Sequence, residues 1–172
     1  MIIFLYGPDG FRIRQHIQQL CVVAINAQTP CYRLDMAELG SPVELHNLLR
    51  SQGLFANRRM IILEHAFAAA TTVIEILKNN GVATDNETEL IIFESESKTK
   101  LTKQSKELYN IVTGRNTKTE EFELLTDTGL AAWVRARCKE AGITIAVEAV
   151  TKLVANSKPP GGSKKETEAM EP

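Results

Sequence analysis

A three-layer α/β fold on a mainly parallel, five-stranded sheet is what the 172-residue sequence predicts, from three observations. Short apolar runs recur along the chain (Ile2 to Tyr6, Met60 to Leu63, Leu90 to Phe93), apolar at odd and even positions alike. Such runs suit strands that are covered on both faces, as in parallel sheets. Between them lie stretches whose apolar residues return every three or four positions, as on one side of a helix. Strands alternating with helices give a parallel sheet with helices packed on it.

The first strand breaks on Gly7-Pro8-Asp9-Gly10. A helix follows with Ile13, Ile17, Leu20, Cys21, Ala24 and Ile25 on its buried stripe. After Pro30, Cys31 to Asp35 reads as a short second strand. Ser41 then caps a short helix, with Pro42 at its first position, Glu44 completing a capping box, and Leu45, Leu48 and Leu49 inward. Gly53 is its left-handed stop. Met60 to Glu64 is the third strand, and Ala66 to Asn79 a helix with Val73, Ile74 and Leu77 inward, closed by Asn80-Gly81. Glu89 to Glu94 is the fourth strand. Leu101 to Thr113 reads as one helix with Leu101, Leu108, Ile111 and Val112 inward. Thr119 to Leu125 holds a last, more polar strand at a sheet edge.

Past Thr126 the pattern becomes purely helical. Leu130, Trp133, Val134 and Cys138 trace one helix, closed by Gly142, and Ala146, Ala149, Val150, Leu153 and Val154 a second. The expected organisation is an α/β domain over 1–126, a partial helical domain over 127–155, and a disordered polar tail over 156–172.

A net charge of −1 leaves no global field to draw the chain to nucleic acid, so any DNA contact is local or comes through a partner. No apolar run approaches the ~18 residues of a membrane span. No signal peptide opens the chain, and a cytoplasmic protein is expected. Cys21, Cys31 and Cys138 lie far apart in sequence and are expected as free thiols.

Strand, glycine turn and amphipathic helix form the opening of a phosphate-binding domain, whose loop chemistry needs G-x-x-x-x-G-K-[ST]. Counted from Gly7, the second glycine, the lysine and the hydroxyl fall on Arg12, Ile13 and Arg14. Gly7, Gly10, Arg12 and Arg14 therefore mark a degenerate, non-functional phosphate loop, and no cofactor is expected. Glu64 ends an apolar strand where a magnesium carboxylate belongs, but His65 follows it rather than a second acid. Glu94-Ser95-Glu96 reads as a solvated strand end. His16, His46 and His65 lie on separate elements without metal-ligand spacing, and Lys98, Lys100, Lys103 and Lys106 form a solvated face among acids.

Gln52-Gly53-Leu54-Phe55-Ala56-Asn57-Arg58-Arg59 stands apart, because Leu54 and Phe55 fall in a bend where polar residues are usual. The pair suits either core packing or an anchor for a partner's pocket.

Several stretches in order resemble the N-terminal part of the delta subunit of the bacterial DNA polymerase III clamp loader. They are Phe4-Leu5-Tyr6-Gly7-Pro8-Asp9-Gly10-Phe11, Gln52-Gly53-Leu54-Phe55 with Arg58-Arg59, Leu90 to Glu94 with Lys100, Ser105-Lys106-Glu107-Leu108-Tyr109, and Phe122 to Thr126 with Trp133. The resemblance covers residues 1 to roughly 154. Gly53 stands where the family has a serine, and a polar tail stands where the family continues into a completed helical domain and a collar.

The resemblance implies an ATPase-type (AAA+) fold with an inoperative nucleotide site. It also implies a non-enzymatic subunit that binds the sliding clamp (beta) and promotes ring opening in DNA replication. Gln52, Leu54, Phe55, Arg58 and Arg59 would be the clamp-binding residues, with Leu54 and Phe55 as the plug. Other clamp-loader subunits are further implied partners, and DNA an indirect one. Two alternatives stand beside it. One is a stand-alone adaptor of the replication machinery; the other is an atypical nucleotide-binding enzyme using Arg12 or Arg14 for phosphate.

Overall fold

The computed structural model describes residues 1–50, 58–79 and 87–157. Two compact units are present, Met1–Leu124 and Leu125–Pro172. In the first, β1 (Ile2–Tyr6), β2 (Cys31–Asp35), β3 (Arg59–Glu64), β4 (Thr88–Glu94) and β5 (Thr117–Glu121) form one sheet in the order β2-β3-β4-β1-β5. All four pairings are parallel, with Tyr6 opposite Glu94 on one side and Glu121 on the other.

Because β1, β3 and β4 are interior strands, their side chains alternate between two buried faces. Ile2, Phe4, Tyr6, Ile61, Leu63, Leu90 and Ile92 point to one core, and Ile3, Leu5, Met60, Ile62, Ile91 and Phe93 to the other. That double burial accounts for the unbroken apolar runs. The first core is filled by residues of α2 (Ser41–Arg50), α3 (Ala70–Asn79), α4 (Lys98–Gln104) and α5 (Lys106–Val112). The second is filled by Ile13, Ile17 and Ala24 of α1 (Gly10–Asn26), joined by Phe122. At the centre of the first, Phe4 stacks on Tyr6 at 4.9 Å and on Phe67 at 6.0 Å, and meets the edge of Tyr109 at 6.1 Å.

Local details depart from the sequence expectations where a backbone partner overrides a pattern. Ile25 is 64% exposed although Ala24 beside it is buried, so the covered strip of α1 is narrower than its apolar stripe. The first α-helical bond of α2 runs from Glu44 N to Gly40 O, so Gly40 (φ +98°) is the capping residue rather than Ser41. Ala66–Ala69 winds as a 3₁₀ turn before α3. The single helix expected over 101–113 is two, parted at Ser105, whose backbone is extended and whose hydroxyl accepts from Leu108 N at 3.2 Å to start α5. The last strand begins two residues and ends four residues earlier than the segment 119–125 in which it was expected, and it is an edge strand as expected. Cys21 and Cys31, distant in sequence, are neighbours: the turn after α1 brings β2 back alongside, with the two Sγ atoms 3.4 Å apart.

In the second unit, α6 (Asp127–Glu140) is capped by Thr126, whose hydroxyl accepts from Gly129 N, and Gly142 follows in a left-handed turn. In α7 (Val147–Asn156), Val150 and Val154 are buried, while Leu153, expected on the same stripe, is exposed. The tail expected to be disordered lies, apart from Asn156 and Ser157, outside the described residues, as does Asn80-Gly81.

Phe4→Ala removes the ring on which Tyr6, Phe67 and Tyr109 converge. It is expected to cost about 3–5 kcal/mol, measured as a lower urea midpoint at unchanged slope.

Candidate functional site

In open α/β sheets, ligands bind beyond the carboxyl ends of the strands at the point where strand order reverses. Here the point lies between β1 and β4: β2 follows β1 to one end of the sheet, and β5 follows β4 to the other. Gly7 and Gly10 lie at this mouth.

The loop after β1 is held by the protein itself. Gly7 N donates to Glu94 O and Asp9 N to Phe122 O, both at 3.1 Å, while Phe122 N donates back to Tyr6 O at 2.7 Å. Gly7 adopts φ +134°, and a Cβ there would collide with the Phe122 carbonyl oxygen. Glycine is needed at this position for backbone-on-backbone approach. Gly10 packs against Ser95, whose Oγ lies 2.9 Å from the place a Cβ would take.

Helix N-termini attract anions. At α1 the anion is the chain's own Asp9, whose Oδ1 accepts from Arg12 N at 3.1 Å. Arg12 in turn donates to the Glu123 carbonyl at 3.0 Å and lies over the Phe122 ring. Arg14 lies over the Phe93 ring. Both arginines of the loop thus contact the segments that end β4 and β5.

The acids along this edge have distinct surroundings. Glu64 accepts from Arg33 of β2. His65, left-handed at φ 53°, bonds through Nδ1 to Asp35 at 2.8 Å. That bond raises the His65 pKa, and the Ala37 amide with His65 lowers that of Asp35. Tyr6 donates to Glu121 at 2.9 Å, and burial above all holds its hydroxyl above the ordinary range.

Glu94 corrects the sequence reading. Far from a solvated strand end, it is 4% exposed, and its Oε1 accepts from Phe67 N at 3.0 Å. The residue faces inward because it continues the alternation that puts Leu90 and Ile92 in the core, and the amides opening the 3₁₀ turn need an acceptor there. Burial raises its pKa to about 7 against those amide bonds. The alternation through Leu90 and Ile92 was the one signal in the sequence that set this glutamate apart from Glu96.

Of the five expected clamp-binding residues, Gln52, Leu54 and Phe55 lie outside the described residues. Arg58 is exposed. Arg59 is used within the fold: its guanidinium donates to the Leu48 carbonyl at 2.6 Å, the Leu49 carbonyl at 3.3 Å and Thr88 Oγ1 at 3.0 Å. Three bonds tie the end of α2 to β3 and β4, satisfying carbonyls that a helix end leaves over. Lys98, Lys100, Lys103 and Lys106 are exposed as expected, with Lys100 paired to Glu96. Among the described residues, no group of three or more His, Cys, Asp or Glu could hold a metal, and no helix is long and apolar enough to cross a membrane.

No protein-family model matches the chain, and comparison with curated proteins finds no relative. Solved structures match in fold. Domain III of the Thermotoga maritima replication initiation protein DnaA is similar at TM-score 0.61 and 12% identity, over 90% of this chain and 68% of that one. The replication initiator DnaA bound to AMPPCP and single-stranded DNA gives 0.62 at 16% identity, over 91% and 50%. The Bacillus subtilis DNA clamp loader delta protein (YqeN) gives 0.53 at 10% identity, over 90% and 52%. This chain spans about half the length of the latter two. At such identities the likeness defines the fold: P-loop NTPase-like, of the AAA+ type.

Two outcomes are expected. A group whose pKa is raised on folding stabilises below its unfolded value and loses that contribution as pH rises through its folded value. Glu94→Gln should therefore gain stability relative to the parent between pH ~4.5 and ~7, by on the order of 3 kcal/mol, and run parallel to it outside that window. Denaturant titrations of both proteins across pH measure this. Separately, Arg59→Ala should destabilise by about 1–3 kcal/mol, whereas Arg58→Ala changes stability by less than about 0.5 kcal/mol. Urea midpoints compare the two.

Proposed function

We propose that this chain is a clamp-loader delta-like module. It binds a DNA sliding clamp through the Leu54–Phe55 plug, biases the ring toward its open form, and hydrolyses no ATP. The observation that carries this reading is the filled phosphate loop. Gly7 and Asp9 amides serve Glu94 and Phe122, Asp9 takes the anion's place at α1, and no lysine follows. A fold of nucleotide-binding type whose loop is bonded to itself acts as a scaffold for contacts rather than as a hydrolase.

The clamp-binding half rests on Gln52-Gly53-Leu54-Phe55 ahead of Arg58, and on a fold like that of the B. subtilis clamp loader delta protein. Arg58 flanks the plug as the cation available to an acidic rim, while Arg59 anchors the strand that follows. DNA is reached through the clamp, in keeping with a net charge of −1. Ring opening follows if the plug binds the opened ring more tightly than the closed one.

Burying a leucine and a phenylalanine contributes roughly 1.5–3 kcal/mol each before ordering costs. Leu54→Ala with Phe55→Ala is therefore expected to weaken binding to purified sliding clamp by about 100-fold or more, with circular dichroism unchanged. Equilibrium dialysis should show no retention of ATP with magnesium. A parent protein that ignores the clamp, a double variant that binds it equally well, or stoichiometric ATP retention would overturn the reading.

A further inference from the structure

Cys21 and Cys31 lie away from the Gly7–Gly10 loop, and Cys31 stands opposite Met60 at the start of the β2–β3 pairing. Cys21 is in the last third of α1, Cys31 is the first residue of β2, and both are half-buried rather than sealed in the core. Their sulfurs are 3.4 Å apart, hydrogen-bonded thiol to thiol, across a separation of ten residues. A disulfide needs the sulfurs at about 2.05 Å, so closing the bond asks only ~1.4 Å of motion shared between two side chains. Cys31 also packs with Leu20 and Cys21 against the second core, which keeps the two sulfurs together.

We propose that Cys21 and Cys31 form a site of reversible thiol oxidation, closing an intramolecular disulfide by exchange with a small disulfide such as oxidised glutathione. One cysteine thiolate attacks a glutathione sulfur, forming a mixed disulfide and expelling a glutathione thiolate, which takes up the proton that the attacking thiol lost. The second cysteine attacks the mixed disulfide at the protein sulfur, closing the protein S–S bond and expelling the second glutathione. Two protein S–H groups are oxidised, and one glutathione disulfide is reduced to two thiols. Excess reduced glutathione runs the exchange backward.

Burial and the bond to Cys21 push the Cys31 thiol up to about 11, so at neutral pH it is protonated and attacks slowly. Once formed, the bond ties the end of α1 to the start of β2. Cross-linking over so short a loop raises stability chiefly by restricting the unfolded chain.

The test uses the full chain incubated with oxidised glutathione, then blocked with an alkylating agent. Free thiols should fall from three to one, the intact mass before blocking should drop by two hydrogens, and peptide mapping after blocking should join Cys21 to Cys31 with Cys138 alkylated. The thermal midpoint should rise by about 5–10 °C and return on reduction. Cys21→Ser and Cys31→Ser should each abolish the mass loss; should either fail to fold, mapping of the parent protein decides alone. Glutathione adducts without closure, disulfides through Cys138, or three unreacted thiols in an oxidising buffer would overturn the proposal.

Discussion

Position 7 carries no side chain because the Phe122 backbone occupies the space where one would stand. The rest of the carboxyl edge of the sheet depends on that contact. Phe122 N and O bond to Tyr6 and Asp9, which continues the β1–β5 ladder beyond the end of the strand. The Phe122 ring then enters the core beneath α1, and Arg12 covers it from above. One residue after the edge strand thus sets the path of the loop, the entry angle of α1 and the place of its first arginine. Two amides of this loop, those of Gly7 and Asp9, point at carbonyls of the chain.

The electrostatics of the same edge have a similar internal purpose. Asp35 holds His65, Arg33 holds Glu64, and Glu121 accepts from Tyr6. Glu94, the most buried of these acids, receives the amides that open the turn before α3. These carboxylates stitch neighbouring strands and helix starts together. Arg59 does the same at the opposite end of β3, where its planar fork meets the carbonyls that end α2. A lysine, with a single point of charge, would not span that set of acceptors.

Much of the framework was legible in the residues. Interior strands were readable because burial on both faces makes most of their positions apolar, and every expected strand begins within two residues of its place. The break at Ser105 was less legible, since Leu101, Leu108 and Val112 keep helical spacing on either side of it. Ile25 and Leu153 were misread for a related reason. Periodicity shows which side of a helix is apolar, but not how wide a strip of that side the neighbouring layer covers: Ile25 is exposed beside buried Ala24, and Leu153 between buried Val150 and Val154.

What the sequence by itself determined is the layered α/β architecture, and the absence of the lysine and second glycine that a phosphate loop requires. Both are local properties of composition and spacing, which a linear reading captures. Only the tertiary structure decided that Glu94 is a buried acid, that Arg59 braces a helix end and that Phe122 fills the loop. It alone brought Cys21 to Cys31. Each of these depends on which element the chain folds back against. That is set by the summed packing of the sheet and its helices rather than by any short run of residues.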